Sequence, residues 1–399
     1  MMKVLILACI IIMASQAFAS EAFRLPGPTG AQAVGTTHLA FVDESRRELF
    51  TDDPDDRREV TVRAWYPADP APGVAPARYY EDGEAMVRNF SYPTHLADLV
   101  THSLPDVPVA GQDTARPVIL FNHGWGEHAV QNTVLMEELA SHGYMVFSLA
   151  HHYEAKYWAY PDGRLEYLSL ASSRFQEIMK EQGHPDALGT LEAMFEVRTV
   201  AAQESLFRHT VKLLPTLLGE SPRHWAEDIV FIIDELDSLN RSPGLFQGKL
   251  DLARLGVMGM SMGGAAAGQV CLIDGRVKAA INMDGGLIGD LADTVVARPM
   301  MYVGSRRFIG YDEVFSAHAS DDTYTLIVRD SDHYDFTDFT LLHRHHMMIG
   351  DIEGERMLEI LNVYTRAFFD FYLKGIESDI LSGKKRPYAE VDYYAHRRK

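Results

Sequence analysis

A serine, an acid and a histidine occur in this chain in an order that could make the serine a nucleophile. Ser261 stands in Gly259-Met260-Ser261-Met262-Gly263. The apolar residues Leu255, Val257 and Met258 precede this Gly-x-Ser-x-Gly, and the small residues Ala265 to Gly268 follow it. On a tight strand-to-helix turn that spacing strains the serine backbone. The residues two before and two after must be tiny, or their Cβ atoms would strike the adjoining strand and helix. The new helix also begins beside the hydroxyl, with its N–H groups where an oxyanion would form. A serine hydroxyl is a weak nucleophile at neutral pH. It needs a base in hydrogen-bond reach, and the base needs a partner that fixes its tautomer.

Asp284 fits the acid, because it ends the run Ala279–Met283 one strand after the turn and precedes Gly285-Gly286. Asp-Gly-Gly also makes a good turn, and Asp312, one strand later, is the rival acid. His333 fits the base, in a loop just after the strand-like run Thr323–Val328. His318 precedes that run, and His343 lies deeper in the loop or helix beyond it. Two backbone N–H groups are needed for the oxyanion. Met262, next after the serine, is expected to give one. The loop Asn122-His123-Gly124-Trp125-Gly126 is expected to give the other from Trp125, whose indole would wall the pocket. His123 reads as a brace for that loop. His151-His152 and His343-x-His345-His346 lack the carboxylate of a His-Glu-x-x-His pattern. They read as solvated or core-edge histidines, and neither a metal nor a cofactor is expected.

The elements that must carry these residues alternate. Val60–Tyr66, Pro117–Phe121, Tyr144–Leu149, Leu255–Gly259, Val277–Met283, Pro299–Val303 and Thr323–Val328 read as strands. Thr133–Ser141, Trp225–Leu239 and Glu355–Tyr372 read as helices. Strand, helix, strand at this spacing means right-handed crossovers and a mostly parallel sheet with helices on both faces. The polar and glycine residues fall at the C-terminal strand ends, where such sheets keep their sites. Residues 67–115 read as irregular. Residues 172–218 read as a helical insertion, expected to lie over the site as a cap.

Residues 1–19 have the form of a secretory signal: Lys3, the apolar run Val4 to Met13, then Ala17-Phe18-Ala19 before Ser20. Residues 20–399 then form the catalytic domain, in a secreted or periplasmic protein. Of the two cysteines, Cys9 lies in the signal, so only Cys271 remains and no internal disulfide can form. The formal charge of −19 becomes −20 without Lys3. Such acidity disfavours nucleic acid and anionic lipid as partners. An apolar patch on the cap could still touch a lipid interface. The basic tail (Lys384, Lys385, Arg386, Arg397, Arg398, Lys399) reads as a solvated terminus.

With these motifs in place, the chain resembles the secreted platelet-activating factor acetylhydrolases of the α/β-hydrolase superfamily. Gly259 to Gly264, Asn282-Met283-Asp284-Gly285, His333 to Phe339 and the loop Asn122–Gly126 carry the resemblance. Gly27-Pro28, Val34-Gly35 and Arg63–Pro67 add to it, so it spans residues 26 to 375. It implies an α/β-hydrolase fold and a metal-free serine esterase with Ser261, Asp284 and His333 as triad. Met262 and Trp125 would supply the oxyanion amides. An acid one strand after the turn is a trait of that family and favours Asp284 over Asp312. The implied substrates are phospholipids with a short or oxidised acyl chain at the second glycerol position. Ala150–Glu154 and the 172–218 insertion do not align with the family's pattern, and these parts are expected to shape the acyl and headgroup pockets. Other readings are a polyester or general short-chain esterase, a peptidase or amidase on the same fold, and a non-catalytic ligand-binding relative.

Overall fold

Six short apolar runs become six parallel strands at the middle of one ten-stranded sheet. A computed structural model describes residues 23–111, 114–197, 199–305 and 311–398, so the signal read at 1–19 lies outside the described residues. The chain opens with β1 (Ala33–Arg47), β2 (Arg57–Ala68), α1 (Gly83–Phe90) and the short β3 (Leu104–Pro105). The alternation then runs β4 (Arg116–Asn122), α2 (Thr133–Ser141), β5 (Met145–His151). A hairpin of β6 (Tyr157–Ala159) and β7 (Leu165–Tyr167) follows. Helices α3 (Ser173–Gln182), α4 (Pro185–Glu196) and α5 (Val200–Leu213) and a π-helical turn at Pro215–Glu220 lead into α6 (Ser221–Arg241). The rest is β8 (Leu250–Met260), α7 (Met262–Ile273), β9 (Val277–Met283), β10 (Met300–Ser305), α8 (Tyr311–Ala317), β11 (Thr323–Val328), α9 (Phe339–Leu342), α10 (Gly354–Lys374) and β12 (Val391–His396).

The strand order is β12-β11-β10-β9-β8-β4-β5-β2-β1-β3. Both faces are covered, so the central strands are apolar on both sides. Val118 and Leu120 of β4 pack with Trp225, Ile229 and Ile233 of α6. Ile119 and Phe121, the alternate residues, pack with Leu135 and Leu139 of α2 and Phe368 of α10. A period of two sends neighbours to opposite cores. Among the described residues no helix is long and apolar enough to cross a membrane.

Among the strands of the main sheet not legible as apolar runs, β1 and β12 are the longest. β1 mixes exposed and buried residues, yet it pairs with β2 over nearly its whole length. The basic residues Lys384, Lys385, Arg386, Arg397 and Arg398 keep their side chains exposed, but this part of the chain is not a loose terminus. Val391–His396 pairs antiparallel with β11 as an edge strand. Edge strands are held by backbone pairing and need only one buried face, so their sequence carries little apolar signal.

Beneath the end of β5 lies a buried charge network. Asp228 of α6 accepts from Arg58 (Nη2 2.6 Å, Nε 3.1 Å) and Arg46 (Nη2 2.7 Å). Arg58 also reaches Glu48 at 3.1 Å and the His152 carbonyl at 3.1 Å. Burial alone would raise the Asp228 carboxyl, but Arg58, His151 and Arg46 hold it well below the usual carboxylate range. Removing Arg58 would leave two buried carboxylates short of charge. The variant Arg58→Met is expected to lose about 3–5 kcal/mol of stability, read as a lowered urea midpoint at unchanged slope.

Candidate active site

Ser261 ends β8 and opens α7 with φ +56° and ψ −118°. Strain of that kind costs about 1–3 kcal/mol and persists only where its surroundings over-determine it. Here the Ser261 N–H donates to Met283 O on β9 at 2.7 Å, and the Ser261 carbonyl accepts from Ala265 N at 3.1 Å. A Cβ on Gly263 would stand 2.1 Å from Asn122 O, and one on Gly259 would stand 2.3 Å from the carbonyl carbon of Gly263. The turn is therefore closed around two glycines at the distances their lack of side chain permits.

His333 opens the 3₁₀ turn His333–Phe336, which Asp332 and Asp335 cap reciprocally. Its Nδ1 lies 2.7 Å from Asp284 Oδ2 and its Nε2 lies 3.1 Å from Ser261 Oγ. A carboxylate only accepts, so Nδ1 carries the proton and Nε2 is left to accept from the serine hydroxyl. Asp284 is buried at the end of β9 with φ +51°. Its other oxygen accepts from Ser305 N at 2.8 Å, Ser305 Oγ at 3.2 Å and Tyr302 OH at 3.3 Å. Tyr302 and Ser305 went unnoticed in the sequence. Their only signal is position: they end β10, the strand beside β9.

The rival histidines lie elsewhere. His318 bonds Glu204 at 2.9 Å, and His343 sits against the rings of Tyr92 and Phe339 at 4.5 and 4.7 Å. The side chain of Asp312 lies outside the described residues.

Trp125 and Met262 both line the cavity that holds Ser261. Among the described residues the Trp125 N–H has no hydrogen-bond partner. The loop that presents it is tied down on every side. Gly124 N donates to Gln131 Oε1 at 3.1 Å, Glu127 N to Gly124 O at 3.0 Å, and Gly126 N to Glu154 O at 2.8 Å. His123 donates from Nδ1 to Gly124 O at 2.7 Å and accepts at Nε2 from His151 N at 3.1 Å. It is thus fixed as one neutral tautomer. Burial and the neighbouring His151 push its pKa down to about 3.

Of the two sequence readings, solvated or core-edge, the solvated one fails for His151 and His152, because both are buried. β5 runs on through His151. That ring stacks on Trp225 at 3.9 Å, with Asp228 Oδ2 at 2.8 Å from one nitrogen and Asn122 Oδ1 at 3.1 Å from the other. His152 accepts from Thr61 N at 3.1 Å. His345 and His346 are exposed. Among the described residues no group of three or more His, Cys, Asp or Glu is placed to hold a metal ion.

The cavity at Ser261 has a volume of about 290 Å³. Its apolar wall comes from Trp125, Phe207, Leu217, Leu218 and Ile288, and among the described residues no Lys or Arg lines it. Phe207 stands on α5, and Leu217 and Leu218 on the π-helical turn, so the 172–218 segment forms one side of the cavity. Glu181 of α3 holds that turn by accepting from Thr216 N at 3.0 Å and Leu217 N at 3.2 Å. Gly289 N bonds Leu218 O at 2.8 Å and ties the turn to the loop beyond Asp284.

Comparison with known proteins supports the resemblance read from the sequence. Residues 236–379 match the family described as platelet-activating factor acetylhydrolase, isoform II. A probable 1-alkyl-2-acetylglycerophosphocholine esterase of Arthroderma benhamiae is 28% identical over 191 residues, 41% of this chain and 47% of that one. The platelet-activating factor acetylhydrolase of Cavia porcellus is 23% identical over 64% of this chain and 57% of its own. That of Gallus gallus is 21% identical over 92% and 90%. The chain thus spans about half the length of the first two of these relatives. A solved ferulic acid esterase from Streptomyces cinnamoneus superposes with a TM-score of 0.71 at 26% identity, covering 93% of this chain and 99% of that one. The fold is an α/β-hydrolase fold.

The depressed His123 has a consequence for stability. Its folded value of about 3 lies below the ordinary imidazole value near 6.5. Between the two the unfolded chain binds a proton that the folded chain refuses. The stability this group contributes is full above the ordinary value and is lost as pH falls toward the folded one. The melting temperature is expected to drop as pH is lowered from about 7 to 4, with the decline starting in the imidazole range, before carboxylates titrate.

Proposed function

We propose that this chain, an α/β-hydrolase similar to the platelet-activating factor acetylhydrolases, is a serine carboxylester hydrolase working through Ser261, His333 and Asp284. One observation carries the reading: the hydrogen-bonded line from Ser261 Oγ through His333 to buried Asp284. It lies at the C-terminal edge of the parallel strands and opens on an apolar cavity. Ser261 Oγ attacks the ester carbonyl while His333 Nε2 takes its proton. Asp284 holds the Nδ1–H tautomer and stabilises the imidazolium. The Trp125 and Met262 amides receive the oxyanion, each worth about 3 kcal/mol of barrier. His333 then protonates the leaving alcohol, and water, activated by the same imidazole, releases the acid from the acyl-enzyme.

The cavity supports a small, uncharged acyl group. At about 290 Å³ it falls at the low end for ligand sites, which begin near 300 Å³. Among the described residues its lining holds no Lys or Arg, which supports an uncharged acyl group over a phosphate or carboxylate. Short acyl esters of glycerophospholipids meet both conditions and accord with the names of the relatives. A second reading is an aryl-acyl ester. The aromatic walls Trp125 and Phe207 favour it, with Phe175 stacked on Trp125 at 6.0 Å, as does the ferulic acid esterase likeness. The signal-like form of residues 1–19 supports export to the periplasm or beyond.

A series of p-nitrophenyl esters from acetate to palmitate tests the chemistry, run beside a short-acyl phosphatidylcholine, methyl ferulate and a peptide anilide. Ser261→Ala is expected to lose turnover by about 10⁴-fold or more with its melting temperature kept. Full turnover in that variant would sink the triad reading. Phospholipid cleavage selects the first substrate reading, ferulate cleavage the second, and cleavage of the anilide alone a peptidase. Phe207→Ala is expected to shift the preferred acyl chain to longer members by removing one wall of the cavity. An unchanged chain-length profile would show that the insertion does not set acyl size.

A further inference from the structure

Glu127 lies just beyond the loop that presents Trp125, and only a small part of it meets solvent. Its Oε1 accepts from Tyr334 OH at 3.0 Å, and Tyr334 is the neighbour of His333. Its Oε2 lies 3.2 Å from Lys156 Nζ. The ammonium in turn donates to Tyr92 OH at 2.9 Å. It stands over the rings of Tyr92, Phe90 and Phe339 at 5.2, 5.7 and 5.8 Å. A cation held among aromatic faces is a fixed charge, so the carboxylate it pairs with is fixed too. The pairing is doubled in the backbone, where Lys156 N donates to Glu127 O at 2.7 Å. Gly124 lies between this group and the nucleophile. A Cβ there would be 3.7 Å from Glu127 Cγ and 3.6 Å from Ser261 Cβ.

These contacts help to join two pieces of chain that are also tied by Asn132 Nδ2 to Phe336 O at 2.7 Å and by Asp338 N to Gln131 O at 2.9 Å, and they do so at the residue next to His333. One is the loop after β4, which carries Trp125. The other is the turn after β11, which carries His333. We propose that Glu127 is a positioning residue: its carboxylate, anchored by Lys156, pins Tyr334 and so fixes His333 relative to the Trp125 loop on either side of Ser261. Burial and the adjacent Glu127 keep the Tyr334 phenol protonated, so the pin is a donated hydrogen bond throughout the working pH range. A tolerance of tenths of an ångström matters there, because the imidazole must meet Oγ while the amides meet the oxyanion. The inference rests on the hydrolase reading for its effect on rate, and its geometry stands apart from it.

The test is a cycle of Tyr334→Phe, Glu127→Ala and the double variant, with Glu127→Gln as the conservative control. Tyr334→Phe removes one oxygen and leaves the Lys156 pair intact, so it folds even if Glu127→Ala does not. With p-nitrophenyl acetate, kcat is expected to fall about tenfold in Tyr334→Phe, the loss for one hydrogen bond that acts on geometry, while KM stays within about twofold. The double variant is expected to match the worse single variant, because both remove the same bond. Glu127→Gln keeps an acceptor for Tyr334 and is expected to restore most of kcat. Unchanged kcat in Tyr334→Phe, or losses that multiply in the double variant, would overturn the proposal. A second readout needs no substrate. The downfield proton resonance of His333 Nδ1–H is expected to shift or broaden in Tyr334→Phe, and an unmoved resonance overturns the positioning role. Wild-type protein that cleaves no ester, with the resonance still shifted in Tyr334→Phe, would count against the hydrolase reading and for this one.

Discussion

The turn that carries Ser261 exists because two backbones touch. Gly263 N-terminal in α7 lies against the carbonyl of Asn122, and Gly259 lies against Gly263 itself. Any side chain at either position would force β8, α7 and the end of β4 apart. That contact brings the strained serine, the first amides of α7 and the loop after Asn122 to one point. The rest of the site is arranged around it. β9 lies beside β8 and delivers Asp284, β10 supplies the donors that hold Asp284, and the turn after β11 delivers His333.

The loop facing Ser261 has to stay put without a regular hydrogen-bond ladder. It is braced from below by buried side chains. His123 joins Gly124 O to the backbone of His151, and His151 joins Asn122 to Asp228. Asp228 in turn depends on Arg58 and Arg46. A buried carboxylate with too few donors would cost several kcal/mol, so this chain of partners is an all-or-nothing arrangement. It links the stability of the β1–β2 edge to the geometry of the loop that carries Trp125. Strand β1, which the apolar pattern did not announce, therefore matters to the site through Arg46.

The insertion after β7 gives the cavity its other wall. Its helices are amphipathic, and the face bearing Phe207 turns toward Ser261. The π-helical turn that carries Leu217 and Leu218 is anchored by Glu181 on one side and by the Gly289 amide on the other. The wall is thus positioned by contacts made to two separate parts of the chain. This is the part of the molecule where substrate preference has room to be set apart from the turn at Ser261.

The sequence by itself determined the alternation of strands and helices, the turn at Ser261, and the order serine, acid, histidine along the chain. Each is a local property: apolar periodicity, glycine at fixed spacing, polar residues at strand ends. It also named Trp125, Met262, Asp284 and His333 by their place after particular strands. Tertiary structure set His333, already favoured by its place just after β11, opposite Ser261 and carried His318 and His343 elsewhere. It also decided that His151 and His152 are buried braces, that β1 and β12 pair onto the sheet, and that Tyr302, Ser305 and Glu127 serve the site. Those outcomes depend on pairing between residues far apart in sequence, and a buried charge or an edge strand takes its meaning from its partner.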